Sequence, residues 1–179
     1  MAELSDEELM LAYRGGDARA FETLYARHRV RLFRYILRSI KSRAAAEELY
    51  QEIWMRVIEA RAAYKPTARF TTWLYTIAHN RIVDHWRAAG FSTVALDSEE
   101  TIPGDGADPE RHAAAREALA RFAAALERLP PAQREAFLLH EEGGLTVAEI
   151  AAATGCNEEA AKSRLRYAIA KLRAATDDG

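Results

Sequence analysis

An all-α fold of two small helical domains joined by a flexible acidic tether is what this chain predicts, on three observations. Glycine and proline are scarce in residues 1–88 and again in 118–179, where alanine and leucine abound, a composition of good helix formers. Between those stretches, Gly90 to Pro109 gathers Ser92, Asp97, Ser98, Pro103, Gly104, Asp105, Gly106 and Asp108 with no hydrophobic period, which is linker chemistry. Helix-capping residues also stand just ahead of apolar stripes at helical spacing in both halves. The predicted units are 1–89, a linker over 90–112, and 113–179. No repeat and no strand pattern stands out, and a freely tethered monomer is the expectation.

Taken in order, Ser5 and Glu8 have the three-residue spacing of a capping box and open a short helix that ends near Gly15 and Gly16. A second helix spans about Ala18 to Ile40 and packs through Phe21, Leu24, Tyr25, Leu32, Phe33, Ile36 and Leu37. A third, from about Ala44 to Ala63, buries Leu49, Ile53, Val57 and Ala60 and gathers Glu48, Gln51, Glu52, Met55 and Glu59 on its other side. Tyr64 to Ala68 forms a loop, since Pro66 disfavours a helical residue before it. The fourth helix, about Phe70 to Ala88, carries two apolar stripes. Phe70, Trp73, Leu74 and Ile77 make one; Tyr75, His79, Ile82 and Trp86 make the other, with Asn80, Arg81 and Arg87 nearby. Two readings stay open for the second stripe: a helix buried on two sides, or aromatic faces beside cations that stack on unpaired bases.

The stretch Leu145 to Arg173 reads as a helix-turn-helix. Thr146 and Glu149 form a capping box ahead of Val147, Ile150 and Ala151, and Gly155 suits the left-handed position that closes a helix. Asn157 then caps a second helix, Glu158 to Ala174, with Ala161, Leu165, Ala168, Ile169 and Leu172 on one stripe. Glu159, Ser163, Arg166 and Tyr167 point the opposite way, flanked by Lys162 and Arg164. Helix, glycine turn and basic-faced helix is the geometry that lays side chains in a major groove.

Composition bounds the function classes. The net charge of −2 hides a strong division along the chain. Residues 1–88 carry 15 Lys/Arg against 11 Asp/Glu, residues 89–117 carry 2 against 7, and residues 118–179 carry 8 against 9. Arg27 to Arg43 and Lys162 to Arg173 contain basic residues and no acid, as nucleic-acid contacts require. One cysteine, Cys156, excludes an intrachain disulfide and a thiolate metal cluster. No apolar run is long enough to span a membrane, so membrane insertion is not expected and a cytoplasmic location is. The scattered His28, His79, His85, His112 and His140 make no metal set, and no phosphate loop or nucleophile motif appears. The expectation is a chain with no enzymatic activity, no cofactor and no metal.

In order, these segments resemble the bacterial RNA polymerase sigma factors, specifically the extracytoplasmic-function (ECF) group of the sigma-70 family, which keeps only regions 2 and 4. The resemblance rests on Gly16-Asp17, Ala20-Phe21, Leu24-Tyr25 and His28; on Ala46-Glu47-Glu48-Leu49 and Gln51-Glu52; and on Phe70, Trp73-Leu74, Ile77-Ala78, Asn80, Asp84 and Arg87. It continues through Leu129-Pro130-Pro131, Gln133-Arg134-Glu135, Phe137-Leu138-Leu139, Gly144-Leu145-Thr146, Glu149-Ile150-Ala151, Lys162-Ser163-Arg164-Leu165, Ala168 and Lys171-Leu172-Arg173. It covers nearly the whole chain, and the ordered set is far more specific than any one piece.

The resemblance implies three surfaces. Glu48, Leu49, Gln51, Glu52, Ile53 and Met55 stand where the family grips the β′ clamp helices of core polymerase, and the β flap is an implied second contact. Arg61, Tyr64, Lys65, Tyr75, His79, Asn80, Arg81, Trp86 and Arg87 stand where it holds the −10 element as single strand. Melting costs about 1.4 kcal/mol per base-pair step and stacking returns about 1–3 kcal/mol per base, so a few such contacts trap an open bubble. Asn157, Glu159, Lys162, Ser163, Arg164, Arg166 and Tyr167 stand where the family reads the −35 duplex. An anti-sigma factor is a further implied partner, and the acidic linker is implied to thread toward the RNA path. The chain departs from the family pattern at Glu48, often Asp, and at Ala45 and Tyr50 in the clamp motif. It departs again at Ala161, Tyr167 and Ile169 in the recognition helix. A stand-alone helix-turn-helix regulator that never meets polymerase is the rival class; it explains 145–173 and leaves the aromatic helix without a role.

Overall fold

Helix caps and apolar stripes organise the observed architecture. The computed structural model describes residues 2–90 and 109–177, so the segment expected to be a tether, and its implied RNA-path role, lie almost wholly outside the described residues. Four helices build the N-terminal half: α1 (Asp6–Arg14), α2 (Ala18–Ile40), α3 (Arg43–Ala60), which runs on into a short 3-10 turn (Arg61–Ala63), and α4 (Phe70–Ala88). Four more build the C-terminal half: α5 (Pro109–Arg128), α6 (Pro131–Glu141), α7 (Val147–Thr154) and α8 (Glu158–Asp177). No strand occurs among the described residues.

Local chemistry accounts for the ends. The Ser5–Glu8 and Thr146–Glu149 capping boxes both close reciprocally, each satisfying amides that a helix start leaves orphaned. Asp17 and Ser42 cap α2 and α3, and the Asn157 side chain accepts from the Ala160 amide at 2.8 Å to cap α8. Gly155 ends α7 at φ 72°, the left-handed conformation for which glycine has no steric cost. Helix α5 begins at Pro109, inside the stretch expected to be linker; proline at a first helical position is well placed, because its missing N–H is an orphan there anyway.

In the N-terminal half, Leu9, Met10, Leu24, Leu32, Ile36, Leu49, Ile53, Val57, Phe70 and Leu74 form the centre. In the C-terminal half, Leu126, Leu129, Leu138, Leu139, Leu145, Ile150, Ala161, Leu165, Ala168 and Leu172 do. These are one continuous buried cluster, and that corrects the expectation of a freely tethered pair. Helix α7 lies against α4, and α6 against α2. The second stripe of α4 supplies the reason: Tyr75 and Ile82 are buried as fully as the first stripe, so α4 packs on two sides.

Candidate nucleic-acid and partner surfaces

The α3 surface is set by a helix wedged between α2 and α4. Leu49 and Ile53 face the core and are fully buried, along with Trp54, which the sequence pattern did not single out. Glu48 and Gln51 are exposed, and Met55 stays 53% exposed. Glu52 is half-buried and accepts a hydrogen bond from Arg81 Nε. A ridge of Glu48, Gln51 and Met55 is thus open to a partner, while Leu49 and Ile53 support it from beneath. Carboxylate with an apolar neighbour suits a basic amphipathic helix, charge giving register and the apolar contact giving affinity.

Around α4 the expected strand-binding residues divide. Arg61, Lys65, Asn80 and Arg87 are exposed, and Trp86 is half-buried. The Arg61 guanidinium lies 5.3 Å from the centre of the Tyr13 ring and donates to its hydroxyl at 3.1 Å. Tyr64, expected at the surface, is instead a core residue, its ring edge-on to Trp73 at 5.1 Å and to Phe70 at 6.4 Å. Loop position misled here, because Tyr64 points back under α4 rather than outward.

Tyr75 and His79 are covered by the C-terminal half. Tyr75 donates to the Glu142 carbonyl at 3.3 Å and meets Tyr35 in a T-shaped pair at 5.3 Å. The Nδ1 of His79 bonds the Glu135 carboxylate, which also accepts from the Tyr35 hydroxyl at 2.9 Å. Burial, reinforced by the Glu135 charge, holds the Tyr35 phenol well above its ordinary pKa. Further along, Thr72 donates to Glu149 at 2.6 Å, and Arg69 pairs with the same carboxylate at 3.3 Å. Burial works to raise the Glu149 pKa, but its bonds to Thr72 and Thr146 and the Arg69 charge outweigh that and leave it lowered. Tyr35, Arg69, Thr72, Glu135, Glu142 and Glu149 were absent from the sequence-based sites. The only advance signal was the seven-residue spacing of the three glutamates.

The face of α8 is the most open of the three. Asn157, Glu159, Lys162, Arg166 and Tyr167 are exposed, and Ser163 and Arg164 are half-buried. The Arg166 guanidinium lies 5.5 Å from the centre of the Tyr167 ring. Ala161, Leu165, Ala168 and Leu172 anchor the opposite stripe, so a capped, buttressed helix presents cations and hydroxyls on one side. Among the described residues no helix is long and apolar enough to cross a membrane, and no group of three or more His, Cys, Asp or Glu could hold a metal ion.

Comparison with known proteins agrees with this layout. Residues 24–91 match sigma-70 region 2, and residues 119–172 match sigma-70 region 4. The chain is 34% identical over 165 residues to the RNA polymerase sigma factor CarQ of Myxococcus xanthus, covering 92% of this chain and 93% of that one. It is 33% identical over 158 residues to the ECF RNA polymerase sigma factor SigL of Mycobacterium tuberculosis H37Rv, covering 88% and 89%. Among solved structures, CnrH in complex with the cytosolic domain of CnrY superposes with a TM-score of 0.71 at 27% identity, over 97% of both chains. The sigma factor RpoE of Bartonella quintana, solved with the anti-sigma factor NepR, has the same fold, with a TM-score of 0.73 at 22% identity over 89% of this chain and 98% of that one. With both regions matched in order and a full-length relative above 30% identity, the chain belongs to the ECF group of the sigma-70 family of RNA polymerase sigma factors.

Proposed function

We propose that this chain binds core RNA polymerase and directs it to a specific set of promoters, with region 2 in residues 1–89, a linker over 90–112 and region 4 in residues 113–179. The observation that carries the reading is the pairing, in one chain of this family, of an open Glu48–Gln51–Met55 ridge with an open basic face on α8. A stand-alone regulator has use for the second and none for the first. Glu48, Gln51 and Met55 contact the β′ clamp helices, with Leu49, Glu52 and Ile53 holding the ridge in place, and the β flap takes region 4. Lys162, Ser163, Arg164 and Arg166 bind the −35 duplex, with Asn157, Glu159 and Tyr167 beside them. Arg61, Lys65, Tyr75, His79, Asn80, Arg81, Trp86 and Arg87 serve the −10 strand. The chain has no chemistry of its own, acts in the cytoplasm where polymerase is, and is a target for an anti-sigma factor.

Capture of core polymerase tests this. Glu52→Arg would break the pair with Arg81 as well as the ridge, so the informative variant is Glu48→Arg with Gln51→Arg. Wild type captures core and the variant loses it while keeping its helical spectrum. A folded wild-type chain that captures no core rejects the reading.

A further inference from the structure

Three consecutive carboxylates open α1, and each has a different partner. Asp6 turns to α2, where Arg27 donates to it at 2.9 Å and His28 bonds it at 2.7 Å. Glu8 accepts from the Ser5 amide at 2.8 Å and closes the helix's own capping box. Glu7 crosses to the other side and accepts from the Phe70 amide at 2.7 Å. That amide opens α4, whose N-cap residue, Arg69, makes no side-chain capping bond. A donor that a helix start leaves orphaned is therefore satisfied from another helix, 63 residues away in sequence.

The far end of α1 meets the other end of the same loop. Arg14 donates to the Tyr64 carbonyl at 2.8 Å. Arg61 donates to the Tyr13 hydroxyl at 3.1 Å, its guanidinium 5.3 Å from the centre of that ring. Between the two pinned backbone atoms run Lys65, Pro66, Thr67, Ala68 and Arg69, all exposed. Both pins are bonds to main chain, so they fix the path of the loop and use none of its side chains. Leu9, Met10 and Tyr13 are buried and Asp6 ties the helix to α2, so the bar that braces the loop is itself held in place.

We propose that α1 is a splint for this loop: Glu7 and Arg14 position it to read a base of the −10 strand, and Tyr13 aims Arg61 at the same strand. This rests on the assignment of Arg61, Lys65 and the α4 face to that strand. Reading one base needs a loop whose donors and acceptors stand in place before the strand arrives, because ordering them on contact subtracts from affinity. With both ends held, the loop meets the strand already formed. The base that fits it gains from this, and the other bases, which use the loop less, gain little. The splint therefore acts on selectivity. Glu7, Tyr13 and Arg14 are positioning residues, and the contacts with the strand are made by the loop and by Arg61.

The test uses the full chain assembled with bacterial core polymerase and a fork-junction DNA whose single-stranded overhang is a random-sequence pool. Sequencing the bound fraction reads base preference at each overhang position. Glu7→Ala/Arg14→Ala removes both backbone pins, whereas in Glu7→Gln the side-chain carbonyl still accepts from the Phe70 amide. Wild type is expected to enrich one base at an overhang position. The double variant should lose about tenfold of that enrichment, the effect of leaving one backbone residue to be ordered on binding, with core capture unchanged. Glu7→Gln should keep the wild-type preference. A double variant as selective as wild type overturns the splint, and so does a Glu7→Gln variant no more selective than Glu7→Ala. Affinity that falls equally for every base means that the pins serve stability alone, and the proposal fails. Should the double variant lose its helical spectrum, Arg14→Ala decides: its side chain lies on an exposed residue, it frees the Tyr64 carbonyl, and an unchanged preference overturns the proposal. A wild-type holoenzyme without overhang preference rejects the strand-binding assignment, and the splint with it. A wild-type chain that forms no holoenzyme rejects the polymerase reading on which both stand.

Discussion

Tyr64 separates a core role from a surface role within one side chain. Its ring is buried against Phe70 and Trp73, while no described protein group bonds its hydroxyl. Burial also raises the pKa of that phenol, since the anion would have to form without solvent, with the charges of Glu7 and Asp6 adding to the effect. A buried hydroxyl without a partner contributes nothing that a hydrogen in its place would lose. Tyr64→Phe should therefore leave thermal stability unchanged or slightly raised, whereas Tyr64→Ala should cost about 3–5 kcal/mol, the range for emptying an aromatic site. Chemical denaturation of the two variants checks this; a marked loss in Tyr64→Phe would mean that the hydroxyl has a partner in solution. Position in a loop after Ala63 suggested exposure, and only the tertiary turn of the loop under α4 says otherwise.

At the scale of elements, legibility followed how local the determining forces were. Both capping boxes, the Gly155 turn and the Asn157 cap were readable because each involves residues within four positions of one another. The stripe of α8 was readable because only one of its faces packs. Helix α3 was harder, since it serves α2 on one side and α4 on the other, and Trp54 sits off the single stripe that periodicity picks out. Helix α4 was undecidable from its own residues: two apolar stripes announce two contacts without saying whether the second is a domain or a nucleic acid. For α8 the open face carries a direct consequence. Lys162→Ala and Arg166→Ala remove exposed cations and no buried side chain, the second taking with it the contact on the exposed Tyr167 ring, so each should weaken duplex binding without altering helicity. If they meet phosphates, each should also flatten the dependence of log affinity on log salt by about one unit. Anisotropy on a promoter duplex across a salt series reads both, and unchanged slope and affinity would remove these side chains from the −35 surface.

The whole molecule is where sequence reasoning stopped: the second apolar stripe of α4 announced a contact without naming its partner, and the even spacing of three glutamates did not say what they meet. Glu149 read as half of a capping box, Glu135 and Glu142 were given no contact, and a linker with no hydrophobic pattern suggested independence. In the fold each of those carboxylates has a donor across the interface, and Glu149 also completes the capping box of α7. One ionised group therefore couples the start of the helix-turn-helix to the contact between the halves. Its pKa is lowered in the fold from an ordinary value of 4.5. A lowered carboxyl pKa means that the stabilisation is fully present above 4.5 and is lost as pH falls from there through the lowered value. Protonation removes the charge that Arg69 pairs with and weakens the acceptor for Thr72, so acid should favour the open form. The radius of gyration should then rise as pH drops below the ordinary carboxyl range, ahead of any loss of helical signal, and Glu149→Gln should be more open than wild type at neutral pH while changing less on acidification. Glutamine still completes a capping box, so helix α7 survives the substitution and the difference between the two titrations isolates the interface. Identical titrations for wild type and Glu149→Gln would place the acid response elsewhere and show that this carboxylate does not hold the halves together.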